Sequence, residues 1–270
     1  MRYLILSILV AALFTSCATT GPGGDKSFII IPTSQEIAIG AGMAKQVAST
    51  EKTFKDMEWQ RYLAEVGNKI VAVSDRKDIV YHFTVIESDD VNAFAAPGGY
   101  VYFYTGLLRH MESEAEMAAV MAHEISHVVA RHGVKRVQTA LGVGLASQLV
   151  LGGNSSEVLA AAINIGMGVA FAGYSRDAER EADSFGIYYM KNAGYNPNGA
   201  IGMFDKLAAV GAGASTNVFE KLSRSHPETQ ERIDRAKEQI SSMRGLSKNL
   251  RDGRERYQQM KARLPKAAQK

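Results

Sequence analysis

The sequence predicts a mainly helical α+β domain with a small β-hairpin directly before a histidine-bearing helix. Three observations carry this reading. Ser113 followed by Glu116 forms a capping box that opens an apolar, helix-period run containing His123-Glu124-Ile125-Ser126-His127. Ile79 to Ile86 alternates and is β-branched, and Asn92 to Tyr104 places Pro97-Gly98-Gly99 between two extended pieces. Helix-period segments run from Thr33, over Phe54 to Val73, and from Tyr174 toward Gly194.

A chain of 270 residues with 46% hydrophobic content has ample material for a core. The net charge of +3 is mild, and lysine and arginine are mixed with acids along the chain. No basic stripe is present, so no nucleic-acid partner is expected. A single cysteine, Cys17, excludes an internal disulfide framework and any cysteine-based zinc knuckle.

Taken in order, residues 1–16 read as a signal peptide: a basic Met1-Arg2, an apolar run from Tyr3 to Phe14, then Thr15-Ser16. Cys17 after these small residues resembles a bacterial lipobox. Lipidation there predicts a membrane anchor in the periplasm, and Ala18 after the cysteine implies outer-membrane sorting in a double-membraned bacterium. The Thr/Gly/Pro-rich composition predicts a flexible tether through residue 32.

Thr33 with Glu36 is a second capping box, leading into Ile37, Gly40, Met43 and Val47. Trp59, Leu63, Val66, Ile70 and Val73 mark the core face of the next helix. In the hairpin, Tyr100, Tyr102 and Tyr104 share one strand face, and Val101 and Phe103 the other. A sheet edge beside a metal can hold an extended peptide by backbone hydrogen bonds. Asn92, Ala93, Phe94 and Ala95 are therefore substrate-binding candidates.

Four residues advance a helix by slightly more than one turn, so His123 and His127 lie on one face. Two imidazoles so placed can bind one zinc ion, with Glu124 beside them to take a water proton. From Val134 to Ser175 the chain is nearly uncharged and divides at Leu151-Gly152-Gly153-Asn154. Soluble burial or contact with a membrane surface is expected there. Charge returns with Tyr174-Ser-Arg-Asp-Ala-Glu-Arg-Glu-Ala-Asp183. Glu179 and Asp183 are again four apart. An open zinc site needs three protein ligands plus water, and two histidines with a glutamate are an established set, so Glu179 can be the third. Asp183 can accept the free N–H of a ligand histidine. Glu181, on a different face, is the confusable choice, and His132 is expected as a polar helix-end residue.

These motifs resemble the M48 family of zinc endopeptidases. The resemblance rests on Asn92-Ala-Phe-Ala-Ala-Pro-Gly-Gly99, the His123–His127 pattern, the Ser175–Asp183 run, and Ser225-His226-Pro227 before Glu231-Arg232-Ile233. It implies a zincin-like fold over residues 33–244, with residues 245–270 left as a short basic tail where some periplasmic members carry helical repeats. It also implies one zinc per chain. The glutamate opening the family's E-x-x-x-D motif, Glu179 here, is the expected ligand, and Glu124 the general base. Tyr174, Arg176 and His226 are candidate oxyanion stabilisers, and His226 is expected to face the metal. The implied activity is hydrolysis of peptide bonds in unfolded or misassembled envelope proteins. The alternative is a zinc-holding chaperone or assembly factor that grips clients without cutting. An intact Glu124 argues for cutting, since a binder has no use for a general base.

Overall fold

The computed structural model describes residues 17–20, 25–151, 155–211, 222, 226, 230–243 and 249–267. The expected signal peptide and the neighbours of His226 lie outside them. The architecture is the expected mainly helical α+β domain.

The first strands, β1 (Cys17–Thr20) and β2 (Asp25–Phe28), pair antiparallel with Cys17 opposite Phe28. Part of the segment read as a flexible tether is therefore a hairpin. The composition Gly21-Pro22-Gly23-Gly24 between the two strands is turn-forming.

Helix α1 (Thr33–Thr50) starts where the sequence predicts, but without the predicted capping box. Pro32 is its cap residue, and no side chain caps it. Glu36 is fully buried and serves a longer-range purpose. Arg76 donates to both its oxygens at 2.8 and 2.9 Å, Arg131 donates at 2.8 Å, and the Gly98 amide at 3.2 Å. One carboxylate thus joins α1 to three other parts of the chain.

Helix α2 (Met57–Val73) is capped by Asp56, which accepts from the amides of Glu58 and Trp59. Strands β3 (His82–Ile86), β4 (Ala93–Ala96) and β5 (Tyr100–Tyr104) form a sheet of order β3-β5-β4. β3 is parallel to β5, and β4 is antiparallel to it, with Ala96 opposite Tyr100. The tight turn over Pro97–Gly99 places Gly98 and Gly99 at φ of 77° and 92°, which glycine adopts without steric cost. Alternation makes this sheet a partition. Ala93, Ala95, Val101 and Phe103 face a core built on α2 and the histidine helix. Phe94, Ala96, Tyr102 and Tyr104 face a second core with Ile39 and Met43 of α1.

After α3 (Thr105–His110) comes the central helix, α4 (Glu114–Val129). Ser113 caps it by accepting from the Glu116 amide, while the Glu116 carboxylate accepts from the amide of Glu112, one residue beyond the usual box partner. α4 ends in a reversal at Arg131, the one described non-glycine residue with positive φ, 54°. The left-handed region costs such a residue ~1–2 kcal/mol. The bonds from Arg131 to Glu36 and to the Ile31 carbonyl hold it there.

The apolar stretch forms α5 (His132–Leu151), broken at Gly142, and α6 (Ser155–Phe171), which pack on each other and over α1 and β4. Val134, Val137, Leu141 and Leu149 are buried, whereas Val143, Leu145, Val150 and Leu151 are exposed. Among the described residues no single helix is long and apolar enough to cross a membrane; one pair, Ser156–Phe171 with Arg176–Asn192, passes by length and composition but is bent by 76°.

Helices α7 (Arg176–Asn192) and α8 (Asn198–Gly211) pack on α4, and α9 (Gln230–Ser242) packs on both of them. The residues expected to be a basic tail include α10 (Arg254–Lys261), which docks on the body. Tyr257 is fully buried against Trp59 and donates to the Leu108 carbonyl at 2.6 Å. The tail's cations pair with acids: Arg251 with Glu114, Arg256 with Glu65, Lys261 with Glu112, and Arg263 with Asp56. One tyrosine anchor and this charge matching make the segment part of the domain.

Candidate metal centre

The helices that carry the predicted site residues are fixed by local signals and brought together by close packing. Ser175 caps α7 by accepting from the Ala178 amide, which sets the phase of Glu179 and Asp183. α7 lies on α4 at Gly186, where an added Cβ would sit 3.2 Å from the backbone nitrogen of His123. Glycine allows this approach, and the approach brings the Glu179–Asp183 face onto the His123–His127 face.

His123, His127, Glu179 and His226 each point one ligand atom to a common place, all within 4.8 Å of one another. Individual separations are 3.0 Å for His123 Nε2 to His127 Nε2, 3.1 Å for His123 Nε2 to His226 Nδ1, and 3.1 Å for His226 Nδ1 to Glu179 Oε1. Glu179 oxygens lie 3.4 Å from His123 Nε2 and 3.6 Å from His127 Nε2. Donors at the corners of a tetrahedron with zinc-length bonds stand ~3.3 Å apart. The set therefore has the chemistry and the spacing of a zinc site. Buried lone pairs converging this closely also repel one another unless a cation or proton lies between them.

Electrostatics agree. Burial opposes a charged His123, but hydrogen bonds to Asp183 and Glu179 outweigh it and raise its pKa to about 10. Burial, reinforced by the charge on His123, pushes His127 well below its ordinary value. Burial works against an ionised Glu179, yet His226 and His123 hold it far below the carboxylate range. A metal entering here displaces a proton from His123.

Around the donors, Asp183 Oδ1 lies 2.9 Å from His123 Nδ1, the ring nitrogen turned away from the cluster. Arg232, from α9, donates to both Asp183 oxygens at 2.7 and 2.8 Å and lies 3.0 Å from Glu179 Oε2. Sequence reading assigned Arg232 no role, although it lies in the Glu231-Arg232-Ile233 run. Glu124 is buried, and its Oε1 lies 3.4 Å from His226 Nε2. The Tyr174 ring stacks on His127 with centroids 4.1 Å apart, so it reaches the site as a packing surface.

Arg176 is not brought to the cluster. As the first residue of α7 it is exposed near Glu231, and the guanidinium beside Glu179 belongs to Arg232. His132 is no ordinary helix end either: it is buried with Nδ1 2.8 Å from His127 Nδ1, because the Arg131 reversal turns it back toward α4. Of the hairpin candidates, Asn92 is buried and its carbonyl accepts from Tyr104. Ala93 and Phe94 are also buried, and Phe94 stacks on Tyr102 at 4.7 Å, away from the donors. Ala95 does approach, lining a cavity of about 210 Å³ with Pro97, His127 and Tyr174. On the other side a cleft of about 540 Å³ opens beside His123, Glu124 and His226, walled by Met190, Met203 and Phe204.

Comparison with known proteins follows the same lines. A family model described as Peptidase family M48 matches residues 58–240. The chain is 33% identical over 183 residues to the mitochondrial metalloendopeptidase OMA1 of Schizosaccharomyces pombe, covering 66% of this chain and 52% of that protein. It is 26% identical over 247 residues to the beta-barrel assembly-enhancing protease of Escherichia coli K12, covering 88% and 50%. It is 27% identical over 258 residues to the metalloprotease YcaL of the same strain, covering 88% and 97%. The chain thus spans about half the length of the first two and nearly all of the third.

Proposed function

This chain belongs to peptidase family M48 and carries that family's metalloendopeptidase domain; from that premise we propose that it is a zinc endopeptidase of the bacterial envelope, holding one ion per chain and cutting unfolded or misassembled proteins. The observation that carries this is the convergence of His123, His127, Glu179 and His226 beside the buried Glu124. His123, His127 and Glu179 would hold the zinc. When bound, zinc supplies Lewis-acid polarisation of the scissile carbonyl and lowers the pKa of a water to about 7.

The chain's own residues do the rest. Glu124 takes the proton of the attacking water and delivers it to the leaving amine. Asp183, braced by Arg232, keeps His123 presenting Nε2 to the cluster. The apolar cleft beside the donors fits a hydrophobic substrate side chain. Such side chains are exposed in extended, unfolded segments and hidden in folded ones. β4 is an edge strand, so a peptide beside it would bind through the backbone, the side chains being buried. The names of the Escherichia coli and yeast relatives as proteases favour cutting over mere holding. The test is purified protein with casein as an unfolded substrate, with and without chelator. Chelator-sensitive endoproteolysis is expected, and casein left intact by zinc-loaded protein overturns the reading.

His226 Nδ1 stands in the fourth donor position, the place zinc proteases keep for water, and its Nε2 lies against the general base. This geometry favours a resting enzyme held latent by His226. The His226→Ala variant is expected to cut casein faster than wild type, at unchanged zinc content. A fall in kcat of roughly 10²–10³ would make it an oxyanion donor instead. Cys17 carries the proposed lipid anchor. The wild-type protein is expected to fractionate with membranes and Cys17→Ala to be released, whereas wild-type protein found freely soluble in the periplasm removes the anchor.

A further inference from the structure

His123 and His127, the two histidines proposed to hold the metal, each have a ring nitrogen that faces away from the cluster and needs a partner. A histidine that gives the lone pair of Nε2 to a metal keeps its proton on Nδ1. For His123 the acceptor is Asp183. For His127 it is a second histidine. His127 Nδ1 lies 2.8 Å from His132 Nδ1, and His132 Nε2 lies 3.1 Å from Glu181 Oε2.

We infer that His132 and Glu181 form a positioning relay that fixes the tautomer and ring orientation of His127 for metal binding. The inference rests on the proposal that His127 holds the metal through Nε2. Given that, one proton arrangement satisfies every atom. His127 Nδ1–H donates to the bare Nδ1 of His132. The His132 proton therefore sits on Nε2 and is donated to the Glu181 carboxylate. No charge on His132 is required.

The fold explains why the relay has an extra member. Glu181 lies on a different face of α7 from Glu179 and Asp183, two residues from each. The Arg131 reversal brings His132, the first residue of α5, between it and His127. His127 and His132 are both buried, so no bulk water replaces the acceptor when it is lost. The two donor histidines are thus held from opposite sides, one by Asp183 and Arg232, the other by His132 and Glu181.

The test is zinc affinity of the full chain, measured by competition with a chromogenic chelator and zinc ion alone, with melting of the chelator-stripped protein as a folding control. His132→Leu fills the space but accepts no proton, and is expected to weaken zinc binding ~10–100-fold. In His132→Asn the amide oxygen can take the place of Nδ1, so affinity is expected to recover most of the way. Glu181→Ala is expected to weaken binding by itself but to add nothing in the His132→Asn background, where the link between Glu181 and His127 is already cut. Glu181 is partly exposed, so this arm stands even if His132→Leu fails to fold. Zinc affinity within twofold of wild type in both His132→Leu and Glu181→Ala overturns the relay; so does additivity of Glu181→Ala with His132→Asn. Wild-type affinity in His127→Ala instead removes the underlying ligand assignment, which keeps the two failures distinct.

Discussion

Glu124→Gln is expected to lower casein cleavage by about 10²–10⁴-fold while zinc content and melting stay at wild-type values. The amide nearly matches the carboxylate in size, so the buried pocket is not emptied. None of the converging donors is changed, and Glu124 Oε1 lies 3.4 Å from His226 Nε2. The one property lost is the capacity to accept a water proton. Glu124 follows His123 in sequence, 100° further round α4, which sets its carboxylate beside the donors. Zinc analysis, thermal melting and initial cleavage rates on one preparation decide the matter. A variant that cleaves at the wild-type rate removes Glu124 from the mechanism. Loss of zinc together with activity would make its role structural.

Glu36→Ala has the largest expected effect on stability, a loss of about 3–5 kcal/mol. Removing this carboxylate leaves the buried guanidinium of Arg131 without its acid and leaves that of Arg76 with the half-exposed Asp78 in place of a buried partner. The cost is the penalty of stranded charge, which exceeds the net worth of the intact pairs. Urea unfolding at neutral pH is the measurement, and a loss below ~1 kcal/mol would show that water or another acceptor takes over. Glu36→Gln keeps an acceptor oxygen and should fall between the two. The left-handed Arg131 also loses its tether, so Glu36→Ala is expected to weaken zinc binding as well, through misplacement of His132 next to it in the chain.

Much of the site was legible because helix geometry is local. Spacing by four puts His123 over His127 and Glu179 over Asp183 whatever the rest of the chain does. Caps such as Ser113 read directly because their partners lie within one turn, and the hairpin alternation assigned Tyr102 and Phe103 to opposite faces before any packing was known. The failures have one origin. Thr33 and Glu36 have capping-box spacing, but Glu36 is drawn to Arg76 and Arg131, 40 and 95 residues away, because a buried carboxylate gains more from two guanidinium groups than from one amide. Arg176 and Arg232 are indistinguishable as letters; only the packing of α9 on α7 decides which guanidinium lies against Glu179.

By itself, then, the sequence determined which residues share a helix face or a strand face, since those follow from backbone periods. Tertiary structure alone decided which faces meet. The approach of α7 to α4 at Gly186 brings Glu179 to the histidines, and the reversal at Arg131 turns His132 against His127. The position of residue 226, 47 places from Glu179 in sequence, is likewise set by the fold. Contacts of this kind depend on the relative rotation and separation of whole helices, which packing fixes and no local spacing encodes.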